Sequence, residues 1–191
     1  GYVASETDRC VLRRASGGLI FCILVYVDDL LIFASLAETE RIRNFLTKAF
    51  TTITMSINNS ISYLGMQLLW KDCTFTIDMD FYVRQTLKDW MHLPIRNNPG
   101  TRDLFKINDT SPLLVERSRQ IFHSTIARIL YLAKRVRGDI ITVVSFLCTR
   151  VTKATEEDQA KLESLLVFFE KNHDAEVVST CNHQSATTHL Y

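Results

Sequence analysis

The order of apolar and polar positions divides the chain into a mixed N-terminal part and a helical C-terminal part. Apolar runs at residues 10–14, 19–26 and 30–34 predict three consecutive strands. Ala15-Ser16-Gly17-Gly18, between the first two, has the composition of a turn. Because continuously apolar strands are usually buried on both faces, the hairpin formed by the second and third strands is expected at the centre of a sheet.

Apolar residues at intervals of three and four predict helices over much of the remaining sequence. The first helix is predicted from Ser35 to Phe50, where Ser35 and Glu38 have the spacing of a capping box. A second hairpin is predicted from strands at residues 62–70 and 73–78, and Asp80 is predicted to cap the helix that follows it. Three later helices are predicted at residues 116–135, 139–149 and 155–171, with Thr155 as the cap of the last.

Charge is distributed unevenly, although the 191 residues carry a net charge of only +1. Residues 1–83 contain 7 basic and 9 acidic residues, and residues 154–191 contain 2 basic and 7 acidic residues. Residues 84–153, in contrast, contain 13 basic and 5 acidic residues, a net of +8. This middle block is basic enough to attract an anionic polymer such as a nucleic acid.

Cysteine content and hydropathy bear on the compartment. The five cysteines are odd in number and widely spaced, which favours free thiols in a reducing, intracellular compartment. The longest apolar run, residues 19–27, is too short to span a bilayer, so no membrane association is expected.

Asp28 and Asp29 are the strongest candidates for chemistry. They are adjacent carboxylates at the predicted tip of a hairpin with almost wholly apolar flanks. Two carboxylates in such a place repel each other and lose hydration, and a bound divalent cation offsets both costs. Mg²⁺ prefers oxygen ligands and commonly binds one or two carboxylates together with water and substrate phosphates. An ordinary polar turn is the alternative for an isolated Asp-Asp pair.

The surrounding sequence resembles reverse transcriptases of copia-type LTR retrotransposons. The segment LVYVDDLLI at residues 24–32 resembles the YxDD box of these enzymes. Further segments resemble family motifs in the same order along roughly residues 1–176. They are Gly1-Tyr2 with Ser5, Asp8 and Cys10; Tyr63-Leu64-Gly65-Met66; Phe122-His123-Ser124 through Leu130-Tyr131-Leu132-Ala133; Arg137-Gly138-Asp139-Ile140; and residues 165–171.

The resemblance implies an α+β fold: part of a polymerase palm, with an antiparallel sheet, the YVDD hairpin and a packed helix, followed by an all-helical thumb and connection. The implied divisions are the palm at residues 1–79, the basic thumb at 80–153, and a connection helix with an unmatched tail at 154–191. The activity implied is RNA-directed DNA synthesis by two-metal nucleotidyl transfer to a primer 3′-hydroxyl. The implied partners are an RNA or DNA template with its primer, and dNTP. The implied location is a cytoplasmic particle, and the oligomeric state stays open.

The resemblance also implies roles for individual residues. Asp28 and Asp29 would be two of the three carboxylates that hold two Mg²⁺ ions, with Tyr26 and Val27 near the primer and nucleotide. The primer grip would be formed by Tyr63, Leu64, Gly65 and Met66. Contacts to the nucleic-acid backbone are expected from Arg128, Lys134, Arg135 and Arg137.

The sequence leaves the activity of the chain by itself open. In the family, the first catalytic aspartate and the fingers lie upstream of the segment that Gly1 begins, so the chain alone is expected to be inactive. Two alternatives are therefore kept: a non-catalytic module that binds nucleic acid, and a degenerate remnant without function.

Overall fold

The computed structural model describes residues 1–72, 74–90, 103–171 and 176–180. The strands are β1 (Val3–Ala4), β2 (Val11–Ser16), β3 (Leu19–Tyr26), β4 (Asp29–Phe33), β5 (Ser60–Tyr63), β6 (Met66–Lys71), β7 (Thr74–Asp78) and β8 (Glu176–Thr180). The helices are α1 (Leu36–Ala49), α2 (Asp80–Leu87), α3 (Glu116–Ala133), α4 (Ile141–Arg150) and α5 (Glu156–Lys171). Short 3₁₀ turns follow α2 (Lys88–Trp90) and precede α4 (Gly138–Ile140). The predicted α+β class is confirmed.

The first sheet is antiparallel, with the strand order β1-β2-β3-β4. One face packs against α1 through a core that includes Phe21, Ile23, Ile32 and Ile42. Among the described strands β4 lies at the edge, and Ile20 on β3 is 75% exposed. The expectation that the β3–β4 hairpin lies at the centre of a sheet is therefore wrong for the described strands. The face opposite α1 is buried unevenly, since Leu31 is only 5% exposed.

The second sheet has the strand order β5-β6-β7-β8. Residues 62–70 do not form one strand as predicted, because the chain reverses between Tyr63 and Met66. Leu64 and Gly65 have φ values of 50° and 75°, and positive φ at both central residues is typical of a type I′ hairpin turn. The prediction missed this turn because only one of its two residues is glycine.

The helical part has a continuous apolar core. Each of the last three helices buries one apolar face. Side chains in this part that are at most 1% exposed include Phe122, Ile126, Ile129, Leu132, Ile140, Val144, Leu147, Leu162, Leu165, Leu166 and Phe169. The helices run within one or two residues of their predicted bounds. Apolar periodicity was sufficient here because each helix buries one stripe against its neighbours.

The helix caps match the prediction at two of three positions. The Ser35 hydroxyl accepts the Glu38 N–H at 3.4 Å, and the Thr155 hydroxyl accepts the Asp158 N–H at 3.3 Å. Asp80 is not a cap, because α2 begins with it and Asp78 accepts its N–H at 2.7 Å instead. The chain thus uses the aspartate two residues earlier to bind the first backbone donor of the helix.

The chain forms two compact units. One consists of residues 1–77 with 178–191, and the other, called the helical unit, consists of residues 78–177. The basic block and most of the acidic segment after it thus belong to the same unit, which contains 15 basic and 14 acidic residues. Arg150 of the basic block pairs with Asp158 of the acidic segment at 3.2 Å. The acidic residues of this unit therefore offset most of the +8 found in the sequence, and its net charge is +1.

Two structural observations concern the cysteines and the hydropathy of the helices. Cys10, Cys22 and Cys148 are free thiols, and burial raises the pKa of the Cys148 thiol. In the part of the chain that the structure describes, no helix has the length and apolarity needed to cross a bilayer. The predicted tail from residue 181 onward lies outside the described residues.

Candidate functional site

The acidic pair lies at the tip of the β3–β4 hairpin. Tyr26 is paired with Asp29 across the two strands, so Val27 and Asp28 alone form the loop. All four residues are exposed, Tyr26 by 57% and Val27 by 82%. The tip of the hairpin thus presents two adjacent carboxylates at the protein surface, one in the loop and one at the start of β4, where water and an external ligand have access to them.

Val27 has an unfavourable backbone conformation. Its φ of 52° lies in the left-handed region, whereas Asp28 keeps a negative φ. This pattern belongs to the type II′ hairpin turn, in which glycine is the preferred first central residue. A β-branched residue in this region is a genuine outlier that costs about 1–3 kcal/mol. The register of β3 and β4 imposes the tight turn, and the fold absorbs this cost.

Strand alternation determines which side of the sheet carries the candidate residues. Ile23 and Ile32 are on the face that packs against α1. Tyr26 and Asp29 are each three positions from these residues along their own strands and therefore lie on the opposite face. The tyrosine and one carboxylate share the side of the sheet away from α1, and Asp28 lies in the turn beside them.

The donor set at this turn is suited to a hard divalent cation. Both Asp28 and Asp29 offer carboxylate oxygens, which Mg²⁺ prefers. Across the described residues, no three histidine, cysteine or carboxylate side chains cluster closely enough to form a complete metal site. An ion held by this pair would take its other ligands from water, from substrate phosphates or from groups outside the described residues.

The four residues predicted for the primer grip form the β5–β6 turn. Tyr63 pairs with Met66 across the turn, and Leu64 and Gly65 are its central residues. Beside it, the Gln67 amide donates to the Ser60 hydroxyl at 2.6 Å. The four residues are therefore presented by a tight hairpin, in the same compact unit as Asp28 and Asp29.

The four predicted backbone-contact residues have different surroundings. Arg128 and Lys134 are exposed on and just after α3. The half-buried Arg135 lies over the Tyr131 ring, 3.4 Å from its centroid. Arg137 is only 6% exposed and donates to both carboxylate oxygens of Asp139, at 2.9 and 2.7 Å. This pairing lowers the pKa of Asp139 and engages Arg137 within the protein.

A buried carboxylate stabilises the α1 side of the first sheet. The Glu38 side chain is 7% exposed and accepts hydrogen bonds from Arg41 at 2.6 and 2.9 Å, from Arg14 at 2.5 Å and from Tyr2 at 2.9 Å. The hydrogen bonds from Arg41, from Arg14 and from Tyr2 lower the pKa of Glu38 to about 2. Burial and the hydrogen bond to Glu38 raise the pKa of Tyr2 to about 12. The network connects three distant segments behind the β3–β4 hairpin.

One group of residues was not predicted from the sequence. Tyr82 on α2 packs against Tyr131 on α3 with ring centroids 5.3 Å apart, and Arg135 lies over Tyr131. Periodicity placed Tyr131 on an apolar helix face, but it is only half-buried. The spacing of Tyr131 and Arg135, one helical turn apart, was the available signal, because residues at i and i+4 are neighbours on a helix surface.

Comparison with known proteins gave no match to a protein-family model, to a curated protein or to a solved structure.

Proposed function

We propose that the chain is the C-terminal part of the palm, followed by the thumb, of a copia-type reverse transcriptase. The observation that carries this proposal is the β3–β4 turn, where the YVDD segment forms a two-residue loop with both aspartates exposed. The reaction is transfer of a nucleotide to the primer 3′-hydroxyl on an RNA or DNA template.

Each residue at the turn would have its own role in the reaction. Asp28 and Asp29 would hold Mg²⁺ through their carboxylate oxygens, and the ion, when bound, would supply the positive charge that activates the primer hydroxyl and stabilises the leaving pyrophosphate. Tyr26 shares its face of the sheet with Asp29 and would pack beside the primer terminus. The strained Val27 would keep the two carboxylates in a single orientation.

Contacts to the sugar–phosphate backbone would come from the other residues of the proposal. The turn from Tyr63 to Met66 holds the primer strand, and Arg128, Lys134 and Arg135 offer exposed or half-exposed cations to the phosphates. Arg137 supports the helical unit through Asp139 instead. The proposal therefore rests on three of the four predicted cations.

Primer extension tests the role of the acidic pair. The full chain is supplied with an upstream polypeptide that carries the fingers and the first catalytic aspartate, and extension is measured with Mg²⁺ and dNTP. We expect Asp28→Asn and Asp29→Asn each to reduce the rate by at least about a hundredfold, since each removes a metal ligand.

Asp72→Asn is the matched control, because Asp72 is an exposed aspartate at another hairpin turn of the same unit, also at positive φ. Asparagine tolerates this region of backbone space, so extension should stay within about twofold of the unmodified chain. Normal extension by the Asp28→Asn, Asp29→Asn double variant would contradict the proposed metal role.

A second candidate is a non-catalytic module that binds nucleic acid, favoured by the exposed cations Arg128 and Lys134 on the helical unit. In that case a primer–template duplex binds without Mg²⁺, and binding weakens steeply as salt increases because counterions are released. Binding of this kind by a chain that does not extend a primer, even with the upstream polypeptide, would favour the module over the polymerase.

A further inference from the structure

Tyr82, Tyr131 and Arg135 form a cluster of adjoining side chains, called the stack, in the unit of residues 78–177. The two tyrosine rings are tilted by 36° with centroids 5.3 Å apart. The Arg135 guanidinium carbon lies 3.4 Å from the Tyr131 centroid, a stacking distance. All three side chains are half-buried, so the stack is accessible at the surface and not enclosed in the helical core.

The Arg135 guanidinium is held in place before any ligand arrives. One of its terminal nitrogens donates to the Tyr131 carbonyl oxygen at 3.1 Å, and the ring below fixes the plane of the group. Among the described residues Arg135 has no carboxylate partner. Its position is therefore fixed by neutral groups, and its positive charge is not neutralised by an adjacent anion.

Two further cations lie near the stack in the sequence. Arg128 is exposed on α3, seven positions before Arg135, which follows the end of the helix. It is also near Tyr82: burial and the neighbouring Tyr131 raise the pKa of Tyr82, while Arg128 and Arg135 oppose this shift. The exposed Lys134 adjoins Arg135. Positive charge thus lies near a planar surface.

We propose that this stack binds single-stranded nucleic acid, with one unpaired base stacked on the Arg135 guanidinium and phosphates bound by Arg128 and Lys134. Aromatic and guanidinium planes between cations recognise this ligand, because every base has a π-face and every nucleotide carries a phosphate. The bases of a duplex are already stacked on each other, so the planar surface selects unpaired strands. The inference deepens the proposed function and rests on it for the setting in which such strands occur.

Binding of the full chain to an oligothymidylate that contains one 2-aminopurine tests the inference. Fluorescence of the modified base reports stacking, and EDTA in the buffer removes any contribution of metal at Asp28 and Asp29. We expect Arg135→Lys, which keeps the charge and loses the plane, to weaken single-strand binding about fivefold or more and to abolish the stacking signal.

Arg117→Lys is the matched control, the same exchange at an exposed position on α3, and it should change affinity by less than about twofold. Binding of a duplex of equal length should also change by less than about twofold in Arg135→Lys. The same loss should appear with oligouridylate, because RNA and DNA strands present the same base planes.

Tyr131→Leu provides a second variant, which removes the ring beneath the guanidinium and should reduce the stacking signal as Arg135→Lys does. Its thermal melting, like that of Arg135→Lys, is compared with that of the unmodified chain to establish that it is folded. Unchanged single-strand binding in folded forms of both variants would overturn the inference, as would equal losses for single strands and duplex. Because the assay contains no metal, dNTP or upstream polypeptide, a failure of primer extension leaves its outcome unaffected.

Discussion

The Tyr2 hydroxyl donates a hydrogen bond to Glu38 Oε1 at 2.9 Å, across 36 positions of sequence. The same carboxylate binds Arg14 on β2 and Arg41 on α1. Glu38 has the spacing of a capping-box partner to Ser35, but its side chain joins this network, and only the Ser35 half of the box forms. A residue recognised for local helix capping therefore has its main role in tertiary structure.

We expect Glu38→Gln to destabilise the protein at neutral pH by about 1–3 kcal/mol, because it weakens charge-assisted hydrogen bonds at a nearly buried position. The folded-state pKa of about 2 lies below the ordinary glutamate value of 4.5, so the stabilisation is complete above pH 4.5 and is lost as pH falls toward 2. Urea unfolding of both proteins across this range measures the effect. A stability difference that stays constant between pH 7 and pH 2 would contradict it.

Val27→Gly is expected to stabilise the fold by up to about 1 kcal/mol. Glycine removes the cost of a left-handed φ at a β-branched residue, roughly 1–2 kcal/mol, and adds back about 0.5–1 kcal/mol of unfolded-state entropy. Val3→Gly serves as the control, because Val3 is also exposed and lies on a strand, so it should destabilise. Thermal melting of the two variants decides the matter, and destabilisation by both would show that Val27 is not strained.

Substitution of Asp158 is expected to destabilise the protein more than loss of the Thr155 cap. It is 2% exposed, accepts from the Thr155 N–H at 3.0 Å and pairs with Arg150. Thr155→Ala should cost about 1–2 kcal/mol as an ordinary cap loss, whereas Asp158→Asn should cost roughly 3 kcal/mol because it leaves Arg150 without its charge partner. Glu156→Gln, at an exposed first-turn position of α5, should change the unfolding free energy by less than about 0.5 kcal/mol. Denaturant unfolding would contradict this ranking if Glu156→Gln proved the most damaging.

Substituting Arg137 should lower stability, whereas substituting Arg128 should weaken nucleic-acid binding. Arg137→Gln removes a buried guanidinium from its pair with Asp139, whose carboxylate is 49% exposed, and should destabilise the protein by about 1–3 kcal/mol. Arg128→Gln is at an exposed position, so it should leave stability within about 0.5 kcal/mol and lower the slope of log affinity against log salt by about one. Unfolding and salt titration are measured on both variants. A loss of stability in Arg128→Gln with none in Arg137→Gln would contradict the prediction.

Helix positions and apolar faces could be predicted from the sequence because they depend on local periodicity and caps. The turn at Leu64-Gly65 could not, since a leucine at positive φ is imposed by the pairing of β5 with β6. The surroundings of Arg135 and Arg137 were also beyond prediction. The two residues lie two positions apart in a basic stretch, yet one stacks on Tyr131 at the surface and the other is buried against Asp139.

Charge blocks along the sequence were a poor guide to surface charge. The +8 of residues 84–153 suggested a basic body, but folding brings acidic residues of α5 against it, as Arg150 and Asp158 show. The acidic pair itself was recognisable because Asp28 and Asp29 sit between apolar strands. The positive φ of Val27 could not be predicted from the sequence, because strain of this kind arises from the register of the whole hairpin.

The pairing of Tyr26 with Asp29 also limits how this hairpin can change. Strand side chains alternate with a period of two, so inserting or deleting one residue in the loop, with the β3 pairing kept, would move every β4 side chain to the other face. Ile32 would leave the core beside α1, and Asp29 would turn toward it. The position of the acidic tip therefore depends on the hydrophobic core behind it. Residues at the turn can be substituted singly, but a change in the length of the loop would disrupt the sheet.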